Sequence, residues 1–144
     1  MTSQLPDRPE LTSRVKVYFY DTDAGGVVHN IAYLRMVEQV RSDFAELLGW
    51  KLGEMTRGGD CPVVARTEID YVKPARLGDT LIIGVKLVRM EKVRFHLEFT
   101  IQRDLDEVLL SRVKQVMVPV SLATMRPVAL RKDWLAKWPE LSSV

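Results

Sequence analysis

The stretch VYFYDTDAGGVVHNIAYL, residues 17–34, contains the change of pattern that decides the fold. Over residues 14–20 apolar and polar side chains alternate, which is typical of a β-strand. After the Gly-Gly pair, apolar residues recur three or four positions apart, which is typical of an amphipathic helix. Asp21 and Asp23 lie at the junction. Because aspartate also serves turns and helix caps, the question is whether these two acids do more than that.

The helical pattern continues to Leu48 and predicts one long helix of about five turns. Gly49 follows directly and is expected to be its C-cap, since glycine accepts the left-handed backbone found there. The next segment, KLGEMTRGGD at residues 51–60, predicts a loop that turns at Gly58 and Gly59.

From Cys61 onward, strand alternation predicts four strands joined by short connections, and an irregular alternation over residues 109–120 predicts a bulge in the last one. RKDWLAKW, residues 131–138, predicts a short amphipathic helix. The apolar positions of the single long helix must be buried against another element, and so must the inner face of the sheet. We therefore expect an α+β fold in which an antiparallel five-stranded sheet wraps around one central helix. Residues 1–13 are expected to be a flexible N-terminal arm, and residues 14–144 a single domain.

Composition excludes several classes of protein. The 144 residues are 47% hydrophobic and 28% charged, which is ordinary for a globular domain, and the net charge of +2 is too small to indicate nucleic acid binding. No apolar run approaches the roughly 18 residues of a membrane span. The single cysteine, Cys61, suits a reducing compartment, so we expect the cytoplasm. The sequence contains no Gly-x-Ser-x-Gly motif and no metal-ligand spacing, so neither a serine nucleophile nor a metal is expected.

The segment DTDAGGVVHNIAYLRMVE, between the first strand and the only long helix, resembles the hotdog-fold 4-hydroxybenzoyl-CoA thioesterase family. The resemblance spans residues 14–131 and includes EIDYVKPARLGD and MRPVALRKD. It is closest to the Tol-Pal-associated acyl-CoA thioesterase branch of that family.

The resemblance implies hydrolysis of an acyl-CoA thioester, with Asp23 either attacking the carbonyl or activating a water molecule. Carboxylates are suited to both roles near neutral pH. The backbone N–H of Asn30, at the start of the helix, is implied as the oxyanion donor. Gly25, Gly26 and Val27 would shape the approach of the substrate.

His29 and Asn30 depart from the branch, which more often has an aromatic residue followed by histidine at these positions. We expect His29 to orient Asp23 or water, to contact the substrate, or only to begin the helix. We expect Asn30 to occupy the position that histidine has in the relatives, or to initiate the helix. Asp21 is expected to accept hydrogen bonds from turn N–H groups rather than to react.

Substrate contacts are expected in two further places. Basic side chains near the turn between the third and fourth strands would bind the phosphates of CoA. These are Arg89, Lys92 and Arg94. The opening of the acyl pocket is expected at Val63, Val64 and Arg66.

Two alternatives stay open from the sequence. One is a hotdog-fold enoyl-CoA hydratase or dehydratase, although the Asn-Pro segment typical of that group is absent. The other is a noncatalytic module that binds acyl-CoA or acyl-carrier protein. An acyl-carrier protein also stays open as the acyl donor. No cofactor is expected, since CoA is part of the substrate. Exposed sheet edges and an uncovered helix face favour a homodimer or homotetramer.

Overall fold

The computed structural model describes residues 4–55, 57 and 59–143, and these contain one antiparallel sheet and one long helix. The strands are β1 (Glu10–Lys16), β2 (Asp60–Tyr71), β3 (Thr80–Met90), β4 (Phe95–Arg103) and β5 (Leu109–Ser121). The helices are α1 (Asn30–Leu47), α2 (Leu52–Met55) and α3 (Lys132–Lys137). The strand order is β1-β3-β4-β5-β2, and every neighbouring pair is antiparallel. The predicted five-stranded sheet with one long helix is confirmed.

The long helix α1 packs one face against the inner face of the sheet. Its buried residues share a core with alternate side chains of β3, β4 and β5. On the helix these are Ala32, Tyr33, Met36, Val37, Val40 and Phe44. Burying each large side chain contributes about 1.5–3 kcal/mol, so this face holds α1 in place. The opposite face leaves Ile31 and Leu34 exposed. No helix in the described ranges is long and apolar enough to cross a membrane.

The C-terminal segment closes the core at the end of α1. The predicted helix there is confirmed as α3, and Trp134 on it is fully buried. Its indole packs edge-to-face on Trp50 and Phe95, and its Nε1–H donates to the Leu48 carbonyl at 2.8 Å. The C-cap of α1 is Leu48, one residue before the predicted Gly49, and Gly49 follows it with φ +102°, the left-handed backbone expected of this glycine.

The predicted limits of the first strand are wrong at both ends. Residues 10–13, expected in the flexible arm, pair with β3, so β1 begins four residues early. At its other end the chain leaves the sheet, because the Asp21 carboxylate accepts the Tyr18 N–H and residues 19–21 form a 3₁₀ turn. The alternation of tyrosines and phenylalanine in this stretch therefore belongs to a turn.

Two other predictions concern irregular backbone. The segment 51–60 contains α2 rather than only a loop, while Gly58 of its predicted turn lies outside the described residues. The predicted bulge in the last strand is confirmed, because the β4–β5 pairing skips Leu110. A second bulge lies in β2 between Val64 and Arg66.

Candidate active site

The acids and the start of α1 are joined by a short hairpin. Residues 21–23 pair with residues 27–29, and the Asp23 N–H donates to the Val27 carbonyl at 2.9 Å. The glycine turn lies between the two arms, and α1 begins at Asn30, directly after the second arm. The hairpin therefore places Asp23 and the N-terminus of the helix at the same end of the molecule.

One of the two carboxylate oxygens of Asp23 accepts a hydrogen bond within the glycine turn. Oδ1 accepts the Gly25 N–H at 2.8 Å, and the Asp23 carbonyl accepts the Gly26 N–H at 3.0 Å. Gly26 has φ +75°, a conformation that favours glycine. The Asp23 side chain is exposed, and Oδ2 accepts no hydrogen bond within the described part of the chain. One oxygen thus orients the carboxylate while the other is accessible to a ligand or to water.

His29 is the N-cap of α1. Its Nδ1 accepts the Ala32 N–H at 3.3 Å, so the proton of the neutral ring is on Nε2. Of the roles expected for His29, helix initiation is the one that this contact supports. Asn30 is the first helical residue, and its N–H has no intrahelical acceptor because it precedes the first turn. This amide lies at the positive end of the helix dipole, where it is suited to a developing oxyanion.

Asp21 is buried and structural. Its Oδ2 accepts the Tyr18 N–H at 2.9 Å, and Arg35 on α1 donates to its Oδ1 at 3.3 Å. The expectation that Asp21 accepts turn N–H groups is confirmed. The ion pair with Arg35 also ties the turn to the helix.

The hairpin rests on residues 73–79, which we call the backing segment. The Val28 N–H donates to the Ala75 carbonyl at 2.8 Å. In turn, the Ala75 N–H donates to the hydroxyl of Tyr33, a buried residue of α1, at 3.2 Å. Burial raises the pKa of Tyr33, so the hydroxyl stays protonated around neutral pH. A continuous hydrogen-bonded path therefore connects the helix to the hairpin.

Arg103, a residue of β4, holds the backing segment in place by hydrogen bonds. It donates to the Pro74 carbonyl and to the Asp79 carboxylate, each at 3.2 Å, and to Asp106 at 2.9 Å. The hydrogen bond to Asp106, followed by that to Asp79, raises the pKa of Arg103. The segment is thus held at Pro74 and Asp79, on both sides of Ala75.

Sequence reasoning missed both tyrosines beside the hairpin. Tyr71, the last residue of β2, donates from its hydroxyl to the Asn30 carbonyl at 3.4 Å. Its ring meets that of Tyr33 edge-to-face, with centroids 5.5 Å apart. The available signal was the position of Tyr71 immediately before the Pro-containing backing segment, at a strand end beside the candidate site.

A groove of about 890 Å³ lies on the other side of α1, between that helix and β1. It contains the stacked rings of Tyr18 and Tyr20, 5.8 Å apart, and the guanidinium of Arg35 lies 5.7 Å from the Tyr20 ring. Asp23 does not line this groove. Size alone therefore does not identify the site, and the hairpin chemistry is a better guide.

The remaining predicted substrate residues lie far from Asp23 within one chain. Val63, Val64 and Arg66 are near the start of β2, about 17–27 Å along the strand from Tyr71. Arg66 pairs with Glu68. Arg89, Lys92 and Arg94 surround the β3–β4 turn, and about 34 Å of β3 separates that turn from Thr80, which follows the backing segment. Of the predicted substrate contacts, only Gly25, Gly26 and Val27 adjoin Asp23.

Comparisons with known proteins agree with this architecture. Residues 17–138 match the sequence profile of the family described as the Thioesterase-like superfamily. The acyl-CoA thioesterase YbgC of Haemophilus influenzae is 30% identical over 128 residues, which are 88% of this chain and 93% of that protein. The acyl-CoA thioester hydrolase YbgC of Escherichia coli O157:H7 is 31% identical over the same shares. A solved structure of a probable thioesterase from Bartonella henselae superposes with TM-score 0.77 at 27% identity, covering 85% of this chain and 99% of that one.

Proposed function

Because the chain belongs to the thioesterase-like superfamily, with its hotdog fold, we propose that it hydrolyses acyl-CoA thioesters with Asp23 as the reacting carboxylate. Acyl-CoA thioester hydrolysis is the activity that the YbgC relatives are named for, and those relatives confirm the branch predicted from the sequence. The observation that carries the assignment to Asp23 is the hairpin, which pairs an accessible carboxylate with a helix N-terminus.

The reaction needs a carboxylate on one side of the carbonyl and a donor on the other. The Asn30 N–H would hold the carbonyl oxygen as it gains negative charge. Asp23 would either take a proton from the attacking water or attack the carbonyl carbon itself, to give an anhydride that water then hydrolyses. In both routes the C–S bond breaks, the acid is released, and the CoA sulfur takes up a proton. Because Oδ1 of Asp23 already accepts the Gly25 N–H, we expect Oδ2 to be the reacting oxygen.

The assembly is part of the proposal. We expect the sheet to wrap around α1 and a second copy to cover the exposed face that carries Ile31 and Leu34. β2 is an edge strand, so it is also available to pair with a second copy. A homodimer or homotetramer would let another chain supply the distant substrate contacts. These are Val63, Val64, Arg66, Arg89, Lys92 and Arg94. We expect the cytoplasm as the location, and an acyl-carrier protein stays open as donor.

Release of free CoA thiol from a panel of acyl-CoAs tests the assignment. Asp23→Asn keeps an oxygen acceptor for the Gly25 N–H but removes the charge, so kcat should fall by about 10²–10⁴. Asp23→Ala should lose at least as much activity. The matched control is Asp70→Asn, an exposed aspartate on the outer face of β2, and its rate should equal that of the wild type.

Two outcomes would contradict the proposal. Unchanged thiol release in both Asp23 variants would leave that residue with only its role in the turn. Conversion of an enoyl-CoA without any thiol release would favour the hydratase alternative.

A further inference from the structure

An ion pair joins the first arm of the hairpin to α1. The Asp21 side chain is 8% exposed, and its Oδ1 accepts a hydrogen bond from Nη2 of Arg35 at 3.3 Å. This is the only ion pair of Asp21 in the part of the chain that the structure describes. A carboxylate buried to this extent is costly without a cation beside it, so Asp21 depends on Arg35.

Asp21 is also the residue at which the hairpin begins. Its backbone carbonyl accepts the His29 N–H at 3.0 Å, which pairs the ends of the two arms. Its Oδ2 accepts the Tyr18 N–H, and its own N–H donates to the Tyr18 carbonyl at 2.9 Å, in the turn that leads out of β1. Asp21 therefore connects the turn, both arms of the hairpin and, through Arg35, the helix.

Contacts on two sides of the hairpin fix its angle to the helix. The second arm ends at His29 and α1 begins at Asn30, so only the soft backbone dihedrals of these residues separate them. On the side of the backing segment, the Val28 N–H donates to the Ala75 carbonyl. On the side of the groove between α1 and β1, the contact is the ion pair, since both of its residues line that groove. Without the ion pair, the hairpin would be held on one side only.

The angle of the hairpin decides where Asp23 lies relative to the helix N-terminus. Asp23 is two residues beyond Asp21, which is about 7 Å along the arm. A rotation of about 10° at Asp21 would therefore move Asp23 by about 1 Å relative to the Asn30 N–H. A displacement of that size can slow a chemical step by about a hundredfold, because the reacting groups no longer meet in the productive geometry.

Two tyrosine rings limit the freedom of the Arg35 side chain. That side chain is 53% exposed, so the ion pair alone would leave it mobile. Its guanidinium lies 5.7 Å from the centre of the Tyr20 ring, and the Tyr20 ring stacks on that of Tyr18. A guanidinium is attracted to the face of an aromatic ring. The rings therefore keep Arg35 within reach of Asp21.

We propose that Arg35 is a positioning residue for thioester hydrolysis, which acts through Asp21 to set the distance between the Asp23 carboxylate and the Asn30 N–H. Arg35 lies on the groove, which Asp23 does not line, so it is not expected to touch the reacting atoms. Its loss should therefore lower kcat and leave KM nearly unchanged. This inference rests on the proposed thioesterase activity and adds a residue that supports the same site.

A double-mutant cycle, measured by thiol release from an acyl-CoA that the wild type hydrolyses, tests the proposal. Arg35→Ala removes the cation. Asp21→Asn removes the charge but keeps an acceptor for the Tyr18 N–H, and it leaves no buried charge unpaired, so it supplies a folded variant even if Arg35→Ala is too unstable to assay. Each change should lower kcat by about ten- to a hundredfold, with KM changed less than about twofold. The double variant should be no slower than the slower single one, since both changes break the same contact.

Arg41→Ala is the matched control for stability. Arg41 is an arginine of the same helix, but it donates to Gln115 of β5 rather than to the hairpin. Because Arg41 is largely buried, this variant should lose stability, as measured by Tm, while its kcat equals that of the wild type.

Added guanidinium ion separates positioning from a general loss of stability. Arg35→Ala leaves a space beside Asp21 that opens onto the groove, where the small cation can replace the missing side chain. Guanidinium well below denaturing concentrations should therefore raise kcat in Arg35→Ala, but not in Asp21→Asn. A variant that was only less stable would lose activity instead, because guanidinium favours unfolding.

Several results would overturn the role of Arg35. These are an unchanged kcat in Arg35→Ala or in Asp21→Asn, losses that multiply in the double variant, an equal loss of kcat in Arg41→Ala, and a kcat of Arg35→Ala that guanidinium does not raise. A wild type that releases no thiol from any acyl-CoA would instead contradict the proposed function itself.

Discussion

Replacing Tyr33 by phenylalanine tests whether the buried hydroxyl holds the backing segment beneath the hairpin. The change removes one oxygen that accepts the Ala75 N–H at 3.2 Å, and it adds no volume. Ala75 is fully buried, so its N–H would be left without an acceptor or water. An unsatisfied buried donor costs about 1–3 kcal/mol, and we expect the lower half of that range because neither partner is charged.

The expected loss corresponds to a fall in Tm of about 3–8 °C for a domain of this size. Thermal and urea unfolding, monitored by circular dichroism, measure it. The matched control is Tyr71→Phe, since Tyr71 touches Tyr33 but is 53% exposed and makes only a 3.4 Å hydrogen bond. The control should lose less than about 0.5 kcal/mol. Equal losses in the two variants would refute the argument that the hydrogen bond to Ala75 is what matters.

The pH dependence of stability gives a second comparison between the wild type and Tyr33→Phe. Burial raises the pKa of Tyr33 above its ordinary value of 10.0, so above about pH 10 the unfolded chain releases this proton while the folded chain retains it. The stability contributed by the neutral hydroxyl is fully present below pH 10 and is lost as the pH rises toward the folded pKa. Urea midpoints should therefore fall more steeply above pH 10 in the wild type than in Tyr33→Phe. Parallel curves would show that Tyr33 titrates as it does in the unfolded chain.

Two further predictions concern the hairpin and the start of α1. Gly26→Ala should lower the free energy of unfolding in urea by about 1–2 kcal/mol and should also lower thiol release. The cause is the backbone φ of +75°, since no atom lies within 4 Å of the added Cβ. A variant as stable as the wild type would show that the turn accepts another conformation. His29→Asn should keep both Tm and turnover, whereas His29→Ala should lose about 0.5–2 kcal/mol of stability, because Nδ1 caps the Ala32 N–H. Turnover lost in His29→Asn without loss of stability would show that the imidazole does more than cap the helix.

Much of the candidate site could be predicted from the sequence because its parts are close together along the chain. Asp23, the glycine turn and Asn30 lie within eight consecutive positions, so the change from strand to helix period was enough to place them together. The tyrosines beside the hairpin could not be predicted in the same way, and neither could the hydrogen bonds from Arg41 to Gln115 and from Gln115 to Thr67. Gln115 is 74 positions from Arg41, and only the packing of α1 on the sheet brings these two side chains together. The register of β5 against β2 then sets Gln115 opposite Thr67.

The sequence by itself determined the sheet and the long helix, because periodicity, glycine and turn residues act over a few neighbours. The resemblance to the thioesterase family, and not the periodicity, distinguished Asp23 from Asp21 as the candidate for chemistry. Tertiary structure decided where β1 begins, since Leu11 and Ser13 become strand residues by pairing with β3, which is about 70 residues away. It also decided that Tyr33 supports the hairpin, through the hydrogen bond that its hydroxyl accepts from the Ala75 N–H. The burial of a polar group, and the acceptors it finds there, depend on residues that only the folded chain brings together.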